Sequence, residues 1–367
     1  MATSTIPTRM KAIRLAEYNK PYVVTTTSVP TDIGPHDMLV KVAAASYCHT
    51  EQVATAGWYN TPLPCTASHE GAGTVVSVGS DVKDFRPGDR IICGMPLHPC
   101  GKCVPCTDPD EGVRQYCPAV KFAGLGTDGF FADYVRIDSR TTSHLPDEVS
   151  FLNAAPLACA GRTMWRALLL PGLKGGQSVA IVGSGGGLGH FGIQFAKIMG
   201  LRVVGIDNRD EGLELSAESG ADVIIDGRKG KDAILKEVQS VTSGQGADVT
   251  INLIGADEGP ALCCAVTKLN GTVVQLSQPP VVKIPYHEFV FRGMKVIGSL
   301  IASKGETDSM LDAVVKHGIH SRNEVFQGLD KVGELTDLVF SGKLRGKAVI
   351  VVDQEQVDKE KSSQKLS

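Results

Sequence analysis

Short apolar runs alternate with segments of helical spacing from about residue 178 to about residue 298. The apolar runs QSVAIVG, LRVVGID, ADVIID and ADVTINLIG are typical of buried strands. Between them lie GLGHFGIQFAKIMG, RDEGLELSAESG and KDAILKEVQSVTSG, whose apolar residues recur with the spacing of one helix face. Such an alternation predicts an α/β fold with a parallel, doubly wound sheet. This pattern limits the fold more tightly than any other feature of the chain.

A glycine-rich turn joins the first strand of this region to its first helix. Such a turn lets backbone N–H groups approach a pyrophosphate at a helix N-terminus, although the loop is one residue longer than strict GxGxxG. Asp207 ends the next strand, at about the spacing of an acid that binds the cofactor ribose. An acid there repels a 2′-phosphate, so NAD is favoured over NADP, a preference that Arg209 weakens slightly. The predicted cofactor-binding residues are Gly183, Gly185, Gly186, Gly187, Leu188, Gly189 and Asp207.

The chain before this region, from residue 10 to about residue 155, reads as β-rich. The segments MLVKVAAASY, GAGTVVSVGS, DRIICG and ADYVRI are short apolar or alternating runs, separated by Gly, Pro and Asp. After about residue 300 come two more helical stretches and a final strand, GKAVIVV. The polar tail that follows, DQEQVDKEKSSQKLS, is expected to fray.

Charge and hydropathy exclude several classes of partner. The net charge is −3, from 37 basic and 40 acidic residues, and no basic block stands out. Nucleic acid and anionic membranes are therefore poor partner candidates. No apolar run approaches the roughly 18 residues of a spanning helix, and the first residues contain no apolar signal core. We expect a cytoplasmic protein whose thiols stay reduced.

Four cysteines are clustered in the segment LHPCGKCVPCTDPDEGVRQYC, at Cys100, Cys103, Cys106 and Cys117. In a reducing compartment such a cluster indicates a metal site before disulfides. Four thiolates can close a tetrahedral shell around one zinc and leave no open position, so the predicted site is structural. The alternative is a surface loop with four unliganded thiols.

Three other short segments carry candidate ligands, but they are far apart in the chain. Cys48 lies in SYCHTE, His69 and Glu70 lie in ASHEGAG, and Cys159 lies in APLACAG. Taken singly, a buried cysteine is more often a small apolar residue than a ligand, and their spacing alone does not join them.

Together with the cysteine cluster, the glycine loop and the Asp207 strand, these segments resemble the medium-chain zinc-dependent alcohol dehydrogenases. The resemblance covers nearly the whole chain, and it favours the yeast-type branch because no extra segment separates Cys117 from Cys159. It implies a GroES-like catalytic domain of residues 1–157, to which residues 300–367 return. It also implies a Rossmann domain of residues 158–299, with the active-site cleft between the two domains.

The resemblance implies a catalytic zinc held by Cys48, His69 and Cys159, with a fourth position for water or substrate. Glu70 would lie behind the metal as a neighbouring group or an exchanging ligand, and Thr50 would take the proton of the alcohol. Further implied roles are cofactor phosphates for His49, the nicotinamide end for Thr163, the pyrophosphate for Lys347, and the substrate pocket for Trp58 and Met95.

This chain departs from the family pattern at several positions. Glu51 stands where the family usually has the aspartate that orients the histidine ligand. Val53 replaces a histidine that often passes the proton to solvent, and Ser68 replaces the glycine usual before His69. Ten residues separate Cys106 from Cys117, where seven are common in the family. None of these changes removes a metal ligand.

The implied activity is reversible hydride transfer between an alcohol and NAD, with aldehydes or ketones reduced in reverse. The resemblance also implies a small-molecule substrate and a homotetramer or homodimer. One alternative is a polyol- or formaldehyde-type zinc dehydrogenase. Others are a zinc-free quinone or enoyl reductase of the same superfold, and a non-catalytic nucleotide- or metal-binding protein. Metal content separates some of these alternatives. The full enzyme needs two zincs per chain, a relative that keeps only the structural site has one, and the zinc-free reductase has none.

Overall fold

The structure is a computed structural model that describes residues 6–92, 95–109 and 111–364. The chain divides into two compact units. The first unit comprises residues 1–159, 303–316 and 323–367, and the second comprises residues 160–302 and 317–322. Cys93, whose thiol the sequence predicts to lie in or near the core, is outside the described residues. Among the described helices, none has both the length and the apolar character needed to cross a bilayer.

The amino-terminal part of the first unit is rich in strands. The strands are β1 (Arg9–Leu15), β2 (Val23–Ser28), β3 (Asp37–Tyr47), β4 (Cys65–Thr66), β5 (Glu70–Val78), β6 (Arg90–Ile92), β7 (Tyr134–Asp138) and β8 (Ser143–His144). The helices are α1 (His49–Thr55), α2 (Val104–Thr107) and α3 (Phe151–Pro156), with 3₁₀ turns at Glu111–Tyr116 and Ser139–Thr141. A π-helical turn, Leu157–Gly161, directly follows α3.

The second unit alternates strands and helices. Its strands are β9 (Ser178–Val182), β10 (Arg202–Asp207), β11 (Val223–Asp226), β12 (Ala247–Asn252), β13 (Thr267–Gln275) and β14 (Lys295–Gly298). Its helices are α4 (Arg162–Leu169), α5 (Gly189–Ile198), α6 (Asp210–Glu218), α7 (Lys231–Val241), α8 (Gly259–Val266) and α9 (Tyr286–Val290), with a 3₁₀ turn at Gly227–Lys229.

The last part of the chain adds α10 (Lys304–His317), β15 (Asn323–Gln327), α11 (Val332–Phe340), β16 (Lys347–Val351) and α12 (Gln354–Gln364), with a 3₁₀ turn at Leu329–Lys331. The prediction that the polar tail frays is wrong for residues 354–364, which form α12. Between Gln354 and Glu360, only Val357 and Glu360 are buried, at 3% and 9% exposure. A helix held by so narrow a face has too little apolar periodicity to be recognised in the sequence.

The sheet of the second unit has six parallel strands in the order β11-β10-β9-β12-β13-β14. This is the strand order of a doubly wound dinucleotide-binding fold, so the predicted fold class is confirmed. All five residues of β9 are buried, which explains its continuous apolar run. The helices α5 and α6 pack on β10, and α8 packs on β12 and β13.

The first unit contains a three-stranded sheet, β2-β1-β4, and a seven-stranded sheet built around β3. The larger sheet has the order β15-β16-β3-β5-β6-β8, and β7 also pairs with β3. β3 and β5 are antiparallel, with Ser46 opposite Glu70. The end of β3 therefore lies beside the start of β5, and this is where the predicted metal ligands are found.

Candidate metal and cofactor sites

Strand pairing brings the separate ligand segments to one place. Cys48 directly follows β3, and His69 directly precedes β5. α3 packs on both strands, and the π-helical turn after it contains Cys159. Single π-helical turns are frequent at functional sites because they alter the direction of a side chain within a helix. Three segments that look unrelated in the sequence thus converge in the first unit.

The four predicted ligands of the catalytic metal site lie together. One ligand atom from each of Cys48, His69, Glu70 and Cys159 is within 4.8 Å of all the others. Cys48, His69 and Glu70 are buried, with exposures of 7%, 3% and 0%. Two thiols, an imidazole and a carboxylate form a donor set that suits zinc.

Glu51 connects the Cys48 and His69 segments through hydrogen bonds to both residues. One carboxylate oxygen accepts hydrogen bonds from the His69 ring Nδ1, at 2.5 Å, and from the His69 backbone N–H, at 3.1 Å. The other oxygen accepts from the backbone N–H of Cys48 at 2.9 Å. A carboxylate on Nδ1 leaves Nε2 as the nitrogen that faces a metal. The longer Glu51 side chain therefore makes the contact usual for aspartate, and it also caps α1.

Only one carboxylate oxygen of Glu70 has hydrogen-bond partners among the described residues. Its Oε2 accepts hydrogen bonds from the Ser46 hydroxyl and from the Lys347 ammonium, the latter at 2.5 Å. Its Oε1 is buried and has no hydrogen-bond partner among the described residues. A buried carboxylate oxygen without a donor is costly unless a cation approaches it, so the arrangement fits a metal ion at this cluster.

Lys347 differs from its predicted environment. The resemblance assigns it to the cofactor pyrophosphate, whereas here its ammonium is buried, at 3% exposure, and paired with Glu70. The cause is long-range pairing, since β16 lies antiparallel to β3 with Ala348 opposite Tyr47. Burial lowers the pKa of Lys347, but the Glu70 carboxylate outweighs it and holds that pKa above its ordinary value.

The charges in this cluster interact strongly. The hydrogen bond with Cys159 and the nearby Lys347 ammonium hold the pKa of Cys48 well below its usual range. The same hydrogen bond, together with burial, raises the pKa of Cys159. Burial lowers the pKa of His69, but the Glu51 carboxylate more than offsets this and raises it. One thiolate is thus already favoured, and thiolate is the form in which cysteine binds metals.

Two residues next to the cluster explain features of the sequence. The Thr50 hydroxyl lies 3.6 Å from the Cys48 sulfur, which puts a proton-accepting oxygen beside the ligands. Ser68 has a φ of 73°, a conformation that favours the glycine usual in the family. Its hydroxyl donates to the Ser46 carbonyl at 2.9 Å, which helps to hold the strained residue.

The predicted substrate-pocket residues have unequal surroundings. Met95 is buried at 1% exposure, whereas Trp58 is 59% exposed. Tyr59 was not predicted, yet partial burial and then the charge of Cys48 raise its pKa, so its phenol lies within electrostatic reach of the ligands. A second aromatic beside Trp58 was the available signal, since neighbouring side chains at a turn point in different directions.

The four clustered cysteines form a second group of the same kind. One sulfur from each of Cys100, Cys103, Cys106 and Cys117 lies within 4.8 Å of the others. Reciprocal backbone hydrogen bonds between Leu97 and Lys121 close the base of this loop. Four thiols with no further ligand suit a structural zinc.

The glycine-rich turn lies between β9 and α5, as predicted. Gly183 has a φ of 89°, which a residue with a side chain rarely adopts. A side chain at Gly185 would overlap the backbone of Gly212, with the Cβ only 1.9 Å from its carbonyl oxygen. Gly186, Gly187 and Leu188 complete the turn, and Gly189 is the first residue of α5.

Asp207 ends β10 and faces this turn. Its carboxylate accepts hydrogen bonds from the backbone N–H groups of Gly185, Asn208 and Arg209. The Arg209 guanidinium lies 3.5 Å from the same carboxylate. The acid is therefore oriented by the backbone, with a cation beside it that offsets part of its charge.

An open cavity of about 960 Å³ lies in the second unit, beyond the carboxyl ends of β11 and β12. Its lining includes Gly227, Ile234 and Leu262, and a Cβ added at Gly227 would lie 3.3 Å from the Asp207 carbonyl oxygen. Doubly wound sheets bind ligands beyond the carboxyl ends of their strands.

The remaining predicted cofactor residues are placed by the helices. His49 is the first residue of α1 and is exposed, and Thr163 is buried on α4.

Two protein-family profiles match the chain. One, described as an alcohol dehydrogenase GroES-like domain, matches residues 34–147. The other, described as a zinc-binding dehydrogenase, matches residues 187–316.

Similar proteins cover almost the whole chain. An alcohol dehydrogenase of Geobacillus stearothermophilus is 33% identical over 347 residues, covering 94% of this chain and 100% of the relative. Alcohol dehydrogenase 1 of Emericella nidulans is 31% identical over 351 residues, covering 94% and 98%. The crystal structure of an alcohol dehydrogenase from Aeropyrum pernix aligns with a TM-score of 0.84 at 29% identity, covering 93% of this chain and 99% of that one.

Proposed function

The chain belongs to the medium-chain zinc-dependent alcohol dehydrogenase family and is an NAD(P)-dependent alcohol dehydrogenase, and we propose that it transfers hydride reversibly between a small alcohol and NAD. The observation that carries this proposal is the buried group of two thiols, an imidazole and a carboxylate, separate from the four-cysteine group. We further propose the yeast-type branch, on the absence of an extra segment between Cys117 and Cys159.

We assign the catalytic zinc to Cys48, His69 and Cys159, with Glu70 as a neighbouring or exchanging ligand. When bound there, zinc supplies Lewis acidity that lowers the pKa of an alcohol hydroxyl. Thr50, beside Cys48, would accept the proton of that hydroxyl. Glu51 orients the His69 ring through its Nδ1. We assign the structural zinc to Cys100, Cys103, Cys106 and Cys117.

We propose that residues 158–299 form the dinucleotide-binding domain, and that residues 1–157 and 300–367 form the catalytic domain. The glycine turn and the N-terminus of α5 would hold the pyrophosphate. Asp207 would bind the adenosine ribose, and the adjoining cavity would hold the adenine. An oriented carboxylate supports NAD over NADP. Thr163 and His49 remain proposed contacts to the nicotinamide end and the phosphates. Since Lys347 is paired with Glu70, we propose that it acts on that carboxylate.

The proposal is tested by zinc analysis alongside NADH oxidation with a panel of aldehydes and ketones. We expect two zincs in the wild-type chain. Cys48→Ala should keep one zinc and its fold but lose turnover by several orders of magnitude, because Lewis-acid assistance is gone. Cys65→Ala, which removes a buried thiol outside both groups, should keep both zincs and full turnover. Persistent turnover of Cys48→Ala, or a wild-type chain with fewer than two zincs, would contradict the proposal.

We also propose that the protein is a homo-oligomer built on a surface of the second unit. Six apolar side chains there are 43% to 74% exposed, and we call them the 281–291 surface: Val281, Val282, Tyr286, Phe289, Val290 and Phe291. Next to it, β14 has a neighbouring strand on only one side among the described residues. Aromatic side chains bury about 150–250 Å² each, so this surface supplies several hundred of the roughly 800 Å² per partner in a stable interface.

The six thiols proposed as metal ligands also suit a reducing compartment, and we propose that the protein is located in the cytoplasm.

A further inference from the structure

The helix α12 contacts all three segments that carry the proposed catalytic ligands. β3 leads into Cys48, β5 follows His69, and α3 leads into Cys159. α12 follows β16 and packs on the seven-stranded sheet against β3. It touches none of the ligands among the contacts described, so any effect on the site must pass through these supports.

Gln356 joins α12 to β3 and β5. Its Oε1 accepts a hydrogen bond from the Thr74 hydroxyl of β5 at 2.7 Å, and its Nε2 donates to the Lys41 carbonyl of β3 at 3.3 Å. Asp353, the residue before α12, pairs with the Lys41 ammonium. The start of α12 therefore bridges the two antiparallel strands whose ends carry Cys48 and His69.

Glu360, one turn further on the same helix, holds the start of α3. Both of its carboxylate oxygens accept hydrogen bonds from the backbone N–H of Phe151, at 3.1 and 3.0 Å. Arg90 lies 3.6 Å from the same carboxylate, and its guanidinium also donates to the Val149 carbonyl at 2.8 Å and stacks over the Phe151 ring. Glu360 is only 9% exposed, so this charge is neutralised within the protein rather than by solvent.

We infer that α12 is a positioning element for the catalytic metal site, with Glu360 as its principal residue. Glu360 fixes the amino end of α3, and α3 with its π-helical turn fixes the Cys159 thiol relative to the β3 and β5 ends. Gln356 links the same two strands at Lys41 and Thr74, which are paired with each other four to seven residues from the ligands. This inference rests on the proposed metal site and goes beyond it, because it assigns a role to residues that contact neither metal, cofactor nor substrate. Groups hydrogen-bonded directly to metal ligands typically change metal affinity by roughly 10- to 100-fold, and residues one contact further away should act at the lower end of that range.

The test measures how fast each zinc leaves the full-length enzyme when a colorimetric chelator is present in excess. Cys48→Ala lacks the catalytic zinc, so its trace identifies the structural phase. Glu360→Ala should release the catalytic zinc roughly tenfold faster than wild type, with the structural phase unchanged. Glu360→Gln keeps an acceptor for the Phe151 N–H and should fall in between, and Gln356→Ala should show a smaller acceleration.

Lys359→Ala is the matched control, because Lys359 is on the same helix, its side chain is 74% exposed, and it pairs with the exposed Glu355. It should leave both phases unchanged. Equal acceleration of both phases in Glu360→Ala would indicate general loosening and overturn the inference, as would wild-type rates in Glu360→Gln and Gln356→Ala. If wild type releases fewer than two zincs per chain, the proposed function fails as well. Two zincs per wild-type chain with unaltered release from the variants overturn the role of α12 alone. Should Glu360→Ala fail to fold, the Glu360→Gln and Gln356→Ala rates decide.

Discussion

At the scale of single residues, we expect the choice between NAD and NADP to depend on the environment of Asp207. Three backbone N–H groups orient its carboxylate, and Gly212 leaves the space it occupies, since a Cβ there would lie 2.3 Å from an Asp207 oxygen. Arg209 beside it neutralises part of the repulsion that a 2′-phosphate would meet. The preference for NAD should therefore depend on one carboxylate.

We expect Asp207→Gly to raise kcat/KM for NADP relative to NAD by roughly ten- to hundredfold, because a like-charge contact is removed while Arg209 remains. Steady-state kinetics with both cofactors measure this ratio. Asp210→Ala, at an exposed acid three residues away, should leave it unchanged. An unaltered ratio in Asp207→Gly would rule out its role in discrimination.

Residue motifs predicted the two groups of candidate ligands but not the partners of each residue. Cys48, His69 and Cys159 were connected only through a resemblance, because no local pattern reports that β3 and β5 pair. The Lys347–Glu70 contact also needs the pairing of β16 with β3, across about 300 residues of chain. Local sequence identifies the chemistry of a side chain, whereas its neighbours depend on tertiary pairing.

At the scale of elements, Asp248 links the amino ends of three parallel strands in the second unit. From β12 its carboxylate accepts hydrogen bonds from the Ser178 N–H and hydroxyl of β9, and from the Lys268 ammonium of β13. Burial raises the pKa of Asp248, but these hydrogen bonds outweigh it and lower the pKa to about 2. Its ionised form therefore stabilises the folded sheet.

We expect Asp248→Asn to reduce the free energy of unfolding by about 1 kcal/mol at pH 7, after allowance for solvent screening. Because the folded-state pKa lies below the ordinary value of 3.8, the contribution is complete above about pH 4 and is lost as the pH falls through about 2. Urea denaturation should thus give a constant difference from wild type between pH 7 and 4.5. Asp330→Asn, at a 70% exposed side chain, should show no such loss. A difference that grows on acidification would refute this account.

Helices and strands were predictable where the spacing of apolar residues within the element itself indicates its type. The central strands of the second unit, β9, β10 and β12, are almost entirely buried, and the helices between the strands carry one apolar face, so the alternation is visible in the residues themselves. α12 was missed because it is held by polar contacts such as Gln356 to Thr74, which leave no periodic signal. The individual strands of the first unit were predictable, but their order in the seven-stranded sheet was not, because β15 and β16 come from the far end of the chain.

At the scale of the whole molecule, the 281–291 surface is the proposed interface with a second copy of the chain. Contiguous exposed apolar groups of this size mark association sites on most proteins. We expect the double variant Tyr286→Asp, Phe291→Asp to shift the enzyme to a smaller species in sedimentation velocity, because burying two carboxylates without partners is unfavourable. Phe340→Asp, at an apolar side chain with 59% exposure on α11, is the control and should leave the sedimentation coefficient unaltered. An unchanged coefficient in the double variant would exclude this surface.

The discontinuity of the first unit has a consequence for biosynthesis. A ribosome makes residues 160–302 before residues 323–364, so the nucleotide-binding sheet can fold while translation continues. The seven-stranded sheet must wait for β16, and the clustered thiols emerge long before it can close. A nascent chain that stalls before Lys347 would thus carry a folded second unit together with a ligand cluster whose Glu70 still lacks its buried ammonium partner, so that cluster is completed only near the end of translation.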